Sequence, residues 1–325
     1  MIEFYTWMEL IDMTPVPHPS LRRHTPLYMR IWRARYLYLL LLPGLAYFFI
    51  FRYAPMGGLL LAFKKYNARL GILGSKWVGL DHFRRLFITP DALNAIKNTL
   101  IISLSRMVFQ FPMPIILAIL LDEMPAGHCR KLYQTVYTFP HFLSWVVVST
   151  IMINLFSSNG TINIIIEALG GARISFLAQR SLARPFLYLT ANWKEMGWSS
   201  IIFIAAISAV DPTLYEAAYI DGAGRWKRIW YVTLPCILST IVIRFILDIG
   251  HIMNSGFDQI FLMKNGITQS VVDVIDTYVY RITFEATPNY GFSSAVDLFK
   301  SVVNFIMLLL SNQIVRQLSG QGLFN

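Results

Sequence analysis

The chain has 325 residues and a formal net charge of +10, yet only 14% of them are charged and 55% are hydrophobic, with a mean hydropathy of +0.51. A soluble domain carries about a quarter charged residues, so composition argues against a soluble globule and indicates a polytopic membrane protein. The excess of cations is spread out, with no basic block on a soluble domain, which argues against nucleic acid as a partner.

Residues 1–35 are a polar tail broken by Pro15, Pro17, Pro19 and Pro26. It lacks the apolar stretch of a signal peptide. It ends in Arg30, Trp32, Arg33 and Arg35, a mixture of cations and aromatics that suits a membrane interface. The first span is read at Tyr36–Phe63, with Pro43, Arg52 and Pro55 inside it, and Arg52 can snorkel near its far end. A polar loop, Lys64–Asp91, leads to a second span at Leu93–Leu121, kinked at Pro112 and Pro114. Asp122–Arg130 connects to a third span at Leu132–Phe156, which contains Pro140. The following loop has room for a short helix at Ile162–Leu169. The fourth span, Pro185–Val210, carries Asn192, Trp193, Lys194 and Glu195. The fifth, Leu234–Leu262, carries Arg244, Asp248, His251, Asn254 and Asp258. After a loop over Lys264–Tyr290, the sixth runs from Phe292 through Leu310 to Leu318, with Asp297 and Lys300 near its start. Residues 319–325 are a short tail.

The expected fold is therefore all-α: one six-span domain over residues 36–318, with both termini on one side of the membrane. Loop charge does not choose the side. On the N-inside arrangement, the inner and outer segments each hold eleven Lys and Arg. The basic tail before the first span leans towards N-inside. Cys129 and Cys236 fall in inner segments on that arrangement and read as reduced thiols.

Between spans four and five lies Asp211–Pro235, DPTLYEAAYIDGAGRWKRIWYVTLP. Asp211 or Thr213 can cap a helix that carries Leu214, Ala217, Ala218 and Tyr219 at helical spacing. Gly222, Ala223 and Gly224 permit a sharp turn. Trp226, Ile229, Trp230 and Val232 then make a second apolar stripe beside Arg225, Lys227 and Arg228. Two short helices around a glycine turn, held at a membrane face, form a knob suited to docking. The plain alternative is an amphipathic helix pair that only lies on the bilayer.

Within this knob, Glu216-Ala217-Ala218, Gly222 and Leu234-Pro235 follow the spacing E-A-A, three residues, G, nine residues, I-x-L-P, with Val232 where isoleucine is usual. The segment resembles the coupling loop of permease subunits in binding-protein-dependent ABC importers. Asp221 before Gly222 and the aromatics that follow are similar to the carbohydrate-uptake branch, as is the first span, RYLYLLLLPGLAYFFIFRYAPMGGLLLAF, followed by KKYN. Its opening resembles permeases for oligosaccharides and polysaccharide fragments, including those of alginate importers.

The resemblance implies a type I importer fold in the bacterial inner membrane, with the loop and both termini cytoplasmic. It implies that Glu216, Ala217, Ala218, Asp221, Gly222, Ala223, Arg225, Leu234 and Pro235 serve coupling to an ATP-hydrolysing subunit. Small Ala217 and Ala218 would lie against its groove, and Gly222 would make the turn. The implied partners are a second, homologous permease, two ATP-binding subunits, an extracytoplasmic binding protein and membrane lipid. This chain has no G-x-x-x-x-G-K-[ST], so ATP and Mg would belong to the partner and no cofactor to this chain.

Charges inside spans cost roughly 2.5–3.5 kcal/mol each on insertion scales and usually face a cavity or a partner. His251, Asn254 and Asp258 are spaced to share one helix face. Arg244 with Asp248, and Lys194 with Glu195 or Asp258, read as structural pairs, as do Asp297 and Lys300. Asn192, Trp193, Glu195, Asn254 and Asp258 are the candidates for a substrate path, because sugars are bound by aromatic faces and planar polar side chains. The outer segments hold eleven cations against six acids, which would attract a polyanion, an acidic protein or anionic lipid. Three other readings stand beside this one. They are a secondary transporter driven by an ion gradient through Asp248, Glu195 and Asp258, a membrane enzyme acting on lipid-linked sugars, and an ABC permease for a non-carbohydrate solute.

Overall fold

The computed structural model describes residues 27–285 and 288–319. Of the expected tails over residues 1–35 and 319–325, residues 1–26 and 320–325 lie outside the described residues. The chain divides into two compact units between Gly57 and Gly58.

In the first unit, α1 (Leu27–Arg33) leads into α2 (Arg35–Phe48). The Arg35 guanidinium lies 5.1 Å from the centre of the Trp32 ring and 4.8 Å from that of Tyr36, a cation–aromatic cluster of the kind expected at an interface. Beyond its first residue, α2 is apolar on every side and buries none of its residues, as a lipid-facing helix should. A π-helical turn follows at Phe49–Tyr53, where the Ala54 N–H reaches back five residues to Phe49. The widening suits the arrival of Pro55, whose ring cannot sit against a carbonyl four residues back. A 3-10 helix, Ala54–Phe63, continues the stretch.

The second unit begins within that 3-10 helix, at Gly58, and continues into a small antiparallel ribbon, β1 (Lys64–Lys65) and β2 (Lys76–Trp77), pairing Lys64 with Trp77 and Lys65 with Lys76. Between its strands lies α3 (Gly71–Gly74), and α4 (Asp81–Leu86) follows. The second span is α5 (Pro90–Gln110) and α6 (Pro112–Asp122), interrupted at Phe111 where Pro112 brings no N–H. The expected third span is not continuous. α7 (His128–Thr138) passes into a 3-10 turn at Phe139–Phe142, and Ser144 then adopts extended backbone to cap α8 (Trp145–Phe156). Pro140 in that turn removes a donor that a continuous helix would need. The apolar stretch instead runs on through α9 (Thr161–Ala168), the short helix expected there.

α10 (Arg180–Ser208) is the fourth span. The polar loop holds α11 (Pro212–Ile220), α12 (Arg225–Arg228), a π turn at Ile229–Thr233 and α13 (Leu234–Cys236), and α14 (Leu238–Ile249) follows. The expected fifth span is also broken. α14 stops at Ile249, and the helix resumes as α15 (Phe257–Met263) after Gly256 turns at φ 77°. His251, Asn254 and Asp258 therefore do not share a helix face. α16 (Gln269–Val272), α17 (Ile275–Tyr280), a π turn at Arg281–Glu285 and the long α18 (Tyr290–Ser319) complete the unit.

Four stretches are long and apolar enough to cross a membrane: Arg35–Phe63, Pro90–Asp122, Trp145–Ala168 and Tyr290–Gln317. Two bent pairs raise the number to six. Arg180–Ser208 turns by 70° into Pro212–Ile220, and Arg225–Cys236 turns by 62° into Leu238–Ile249.

α10 is the mast of the second unit. Phe186 and Leu187 pack with Ile102, Val148, Met152 and Ile260, and further along Phe203 and Ile207 pack with Ala118 and Ile237. Lipid is as apolar as these side chains, so close fit and interhelical hydrogen bonds hold such helices together. At Gly197 a Cβ would come within 1.9 Å of the Tyr137 carbonyl oxygen, so the α10 and α7 backbones touch directly. Gln259 donates to the Leu187 carbonyl at 2.8 Å and to the Thr190 hydroxyl at 2.6 Å. Lys300 departs from expectation. Its ammonium pairs with Asp276 on the neighbouring α17, rather than with Asp297 on its own helix.

Candidate functional site: a polar loop and a polar cavity

The loop is built by its own sequence. The Asp211 carboxylate accepts the Thr213 N–H at 2.9 Å and caps α11, with Pro212 at the first helical position where its missing N–H costs nothing. The backbone hydrogen bond from Thr213 holds the Asp211 carboxyl below its usual range. At the other end Gly222 stands at φ 75°, the Ala223 N–H bonds to the Ala218 carbonyl at 2.9 Å and the Gly222 N–H bonds to Tyr219 at 3.0 Å. This pair of hydrogen bonds around a left-handed glycine is the Schellman ending of a helix. The two arms are tied by Tyr215, whose hydroxyl lies 3.0 Å from that of the buried Thr233. Burial raises the Tyr215 hydroxyl above its ordinary range.

Of the residues expected to couple, Glu216, Ala217, Asp221, Gly222, Arg225 and Pro235 are exposed, and Ala218, Ala223 and Leu234 are half-buried. Arg225 is held 3.4 Å from Glu123 in the connection after α6. Tyr219, Ile220, Trp226 and Tyr231 are each more than 70% exposed. Aromatic and aliphatic surface of that extent marks a place that another molecule covers.

A second feature lies among the spans. A cavity of about 410 Å³ is walled by α5, α10, α14 and the unwound 250–256 segment. Among the candidates for a substrate path, Asn192, Glu195 and Asn254 line it. Trp193 and Asp258 do not. Trp193 is 40% exposed, and Asp258 lines a separate space with Lys194 and Trp145. Arg244 and Asp248 also line the main cavity, paired at 3.0 Å as expected of neighbours one helical turn apart. Glu195 takes the His141 Nδ1 at 2.8 Å and the Lys194 ammonium at 3.4 Å. Lys194 also donates to the His141 carbonyl at 2.6 Å, so the 3-10 turn after α7 is fastened to α10.

Arg106, Trp145 and Gln259 are among the cavity residues that escape a reading by pattern. Arg106 had a signal, being a single cation within an otherwise uncharged stretch of the second span. Trp145 and Gln259 had none, because they face the cavity only through the two helix breaks. The arrangement as a whole offers planar amides, two guanidiniums, two carboxylates, an imidazole and an indole face around one volume. That set can bind hydroxyl-rich or charged solutes. The loop and the cavity are mechanically continuous, since α10 and α14 both wall the cavity and both end on the loop.

Comparison with known proteins agrees with this architecture. Residues 110–320 match the family described as binding-protein-dependent transport system inner membrane component. The protein LplB of Bacillus subtilis is 45% identical over 90% of this chain and 92% of its own length. The polygalacturonan/rhamnogalacturonan transport system permease protein YteP of the same organism is 42% identical over 92% of this chain and 93% of its own. The crystal structure of a bacterial alginate ABC transporter, in complex with a periplasmic protein bound to an alginate pentasaccharide, contains a similar chain. That chain aligns with a TM-score of 0.84 at 38% identity, covering 91% of this chain and 99% of the other. With its polar loop, broken spans and membrane cavity, this chain belongs to the inner membrane components of binding-protein-dependent transport systems, the permease subunits of ABC importers.

Proposed function

We propose that this permease forms half of the path by which an acidic oligosaccharide, a fragment of a uronate polysaccharide, enters the cell. The observation that carries the reading is the cavity between α5, α10 and α14. Its guanidinium, amides and indole match the carboxylates, hydroxyls and CH faces of such a sugar. The names of the relatives support it, since YteP is a permease for polygalacturonan and rhamnogalacturonan and the similar solved chain belongs to an alginate importer.

The loop serves as the seat of an ATPase. Two ATP-binding subunits, which hold ATP and Mg, dock on this loop and on that of a second, homologous permease. Both termini and the loop face the cytoplasm, and a binding protein delivers the sugar from outside. Closure of the ATPases draws the loops together. Because α10 and α14 join the loop to the cavity walls, that movement re-orients the cavity by rigid-body rocking. The exposed Tyr219, Ile220, Trp226 and Tyr231 supply the apolar contact, and Glu216, Asp221 and Arg225 its charged rim.

Proteoliposomes holding the assembled importer test this reading. Uptake of radiolabelled trigalacturonate is expected to require ATP and the binding protein and to survive collapse of ion gradients. Uptake that stops with the gradient would favour the ion-coupled alternative. Glu216→Arg and Gly222→Pro are expected to release the ATPase during purification, and retention of both partner and uptake would sink the docking role.

A further inference from the structure

We propose that Arg106 is the residue that reads the carboxylate, receiving the ionised acid group of a uronate unit within the membrane cavity. This rests on the acidic-oligosaccharide reading above and assigns the residue that carries it.

Arg106 stands on α5 inside the Pro90–Asp122 span and lines the cavity. A guanidinium placed there is costly unless something pairs with it or uses it. The neighbouring charges are already matched: Arg244 with Asp248, and Glu195 with Lys194 and His141. Arg106 forms no ion pair among the described residues. Its partners are neutral acceptors, the Ser255 carbonyl oxygen at 2.7 Å from Nη1 and the Gln259 Oε1 beside Nη2. These orient the group without cancelling its charge. Gln259 is itself fixed by its bonds to Leu187 and Thr190, so the guanidinium is held on a rigid mount.

A guanidinium has five N–H donors, and two are used here. The Nε donor is buried and has no acceptor. A buried donor left unmet is destabilising, and a carboxylate is the acceptor whose geometry best fits an arginine fork. The backbone makes room for this mount. At Gly256, with φ 77°, a Cβ would stand 2.8 Å from Arg106 Nη1. The break between α14 and α15 thus brings the Ser255 carbonyl to the guanidinium and keeps side chains away from it. A neutral sugar can offer hydroxyl acceptors to this guanidinium but leaves its charge uncancelled, whereas a uronate carboxylate cancels it.

The test compares two probes in proteoliposomes carrying the complete importer: trigalacturonate and its trimethyl ester, which keeps the rings and removes the charge. The readout is the ratio of uptake of the acid to uptake of the ester. Arg106→Gln is expected to lower this ratio about tenfold, the loss of one charge-assisted interaction. A purely structural role would reduce both rates together and leave the ratio unchanged, and that result overturns the proposal. Arg106→Lys keeps the charge without the fork and is expected to lower the ratio about threefold, one ordinary hydrogen bond's worth. It carries the same test if Arg106→Gln does not assemble, and an unchanged ratio again overturns the assignment. Wild-type importer that takes up neither probe refutes the acidic-saccharide reading itself, and this assignment with it. Wild-type uptake of the acid with an unchanged ratio in the variants removes Arg106 alone.

Discussion

The Tyr215 hydroxyl on the first arm of the loop lies 3.0 Å from the Thr233 hydroxyl on the second. It is the side-chain hydrogen bond that closes the knob, because Thr233 is buried and its hydroxyl makes no other among the described residues. Tyr215→Phe should loosen the knob by about 0.5–1.5 kcal/mol, at the lower end because Tyr215 is only half-buried. The expected result is weaker retention of the ATPase on a purification column and slower uptake. Thr233→Ser keeps the hydroxyl and should behave as wild type in both assays.

Two glycines two residues apart should respond differently to the same change. Gly222 and Gly224 both have open space where a Cβ would go, but only Gly222 has positive φ; Gly224 sits at φ −66°. An L-residue in the left-handed region costs roughly 1–2 kcal/mol. Gly222→Ala is expected to lower ATPase retention several-fold, and Gly224→Ala to leave it intact. Equal effects would show that the turn is held by something other than backbone conformation.

The cap on α11 should be sensitive to acid. The folded carboxyl of Asp211 titrates below its unfolded counterpart, chiefly through the Thr213 N–H. A group depressed in this way stabilises the folded state above its unfolded pKa, near about 4. That stabilisation fades as pH falls through the folded value. Hydrogen exchange of the 211–220 peptide, corrected for intrinsic rates, should therefore quicken below about pH 4. Asp211→Asn keeps a capping oxygen without a titrating group, so its exchange should lose that acid limb.

Glu195 should matter to stability as well as to passage. The Lys194 ammonium is almost wholly buried and has Glu195 as its carboxylate partner at 3.4 Å. Glu195→Gln leaves that cation without a carboxylate, held by the His141 carbonyl and the Trp145 ring 5.5 Å away. The cost is about 1–3 kcal/mol, reduced because the Glu195 side chain is more than a third exposed. Heating the assembled complex should dissociate the variant at lower temperature. Lys194→Met combined with Glu195→Gln should recover part of the loss, which is the signature of coupled neighbours.

The loop was the most legible part of the sequence, because glycine, proline and a capping aspartate act locally. Asp211, Gly222 and Pro235 each do in the structure what their chemistry allows anywhere. The first, second and sixth spans were also plain from length and hydropathy. The third and fifth were not, since a break such as Pro140–Ser144 or Gly250–Gly256 looks like a continuous apolar run with a few polar residues. Reading His251, Asn254 and Asp258 as one face followed from assuming that the helix went on. The pairing of Lys300 with Asp276 depends on α17 lying beside α18, which spacing along one helix cannot reveal. Arg106 was visible as a cation deep in the second span, well past Lys97, but its mount on Ser255 and Gln259 exists only through tertiary structure.

Gly197 has a consequence for how many ways this bundle can move. Where its Cα meets the Tyr137 carbonyl, no side chain separates the two helices to act as a bearing. Lys194 and Glu195, one turn away, pin the next segment through His141. α7 and α10 therefore share one set of coordinates, and a hinge between them is not available. Relative motion has to be taken up elsewhere around the cavity, at the interruption at Phe111 or the unwound stretch before Gly256. A single missing methyl group thus removes one degree of freedom and assigns motion to the joints that remain.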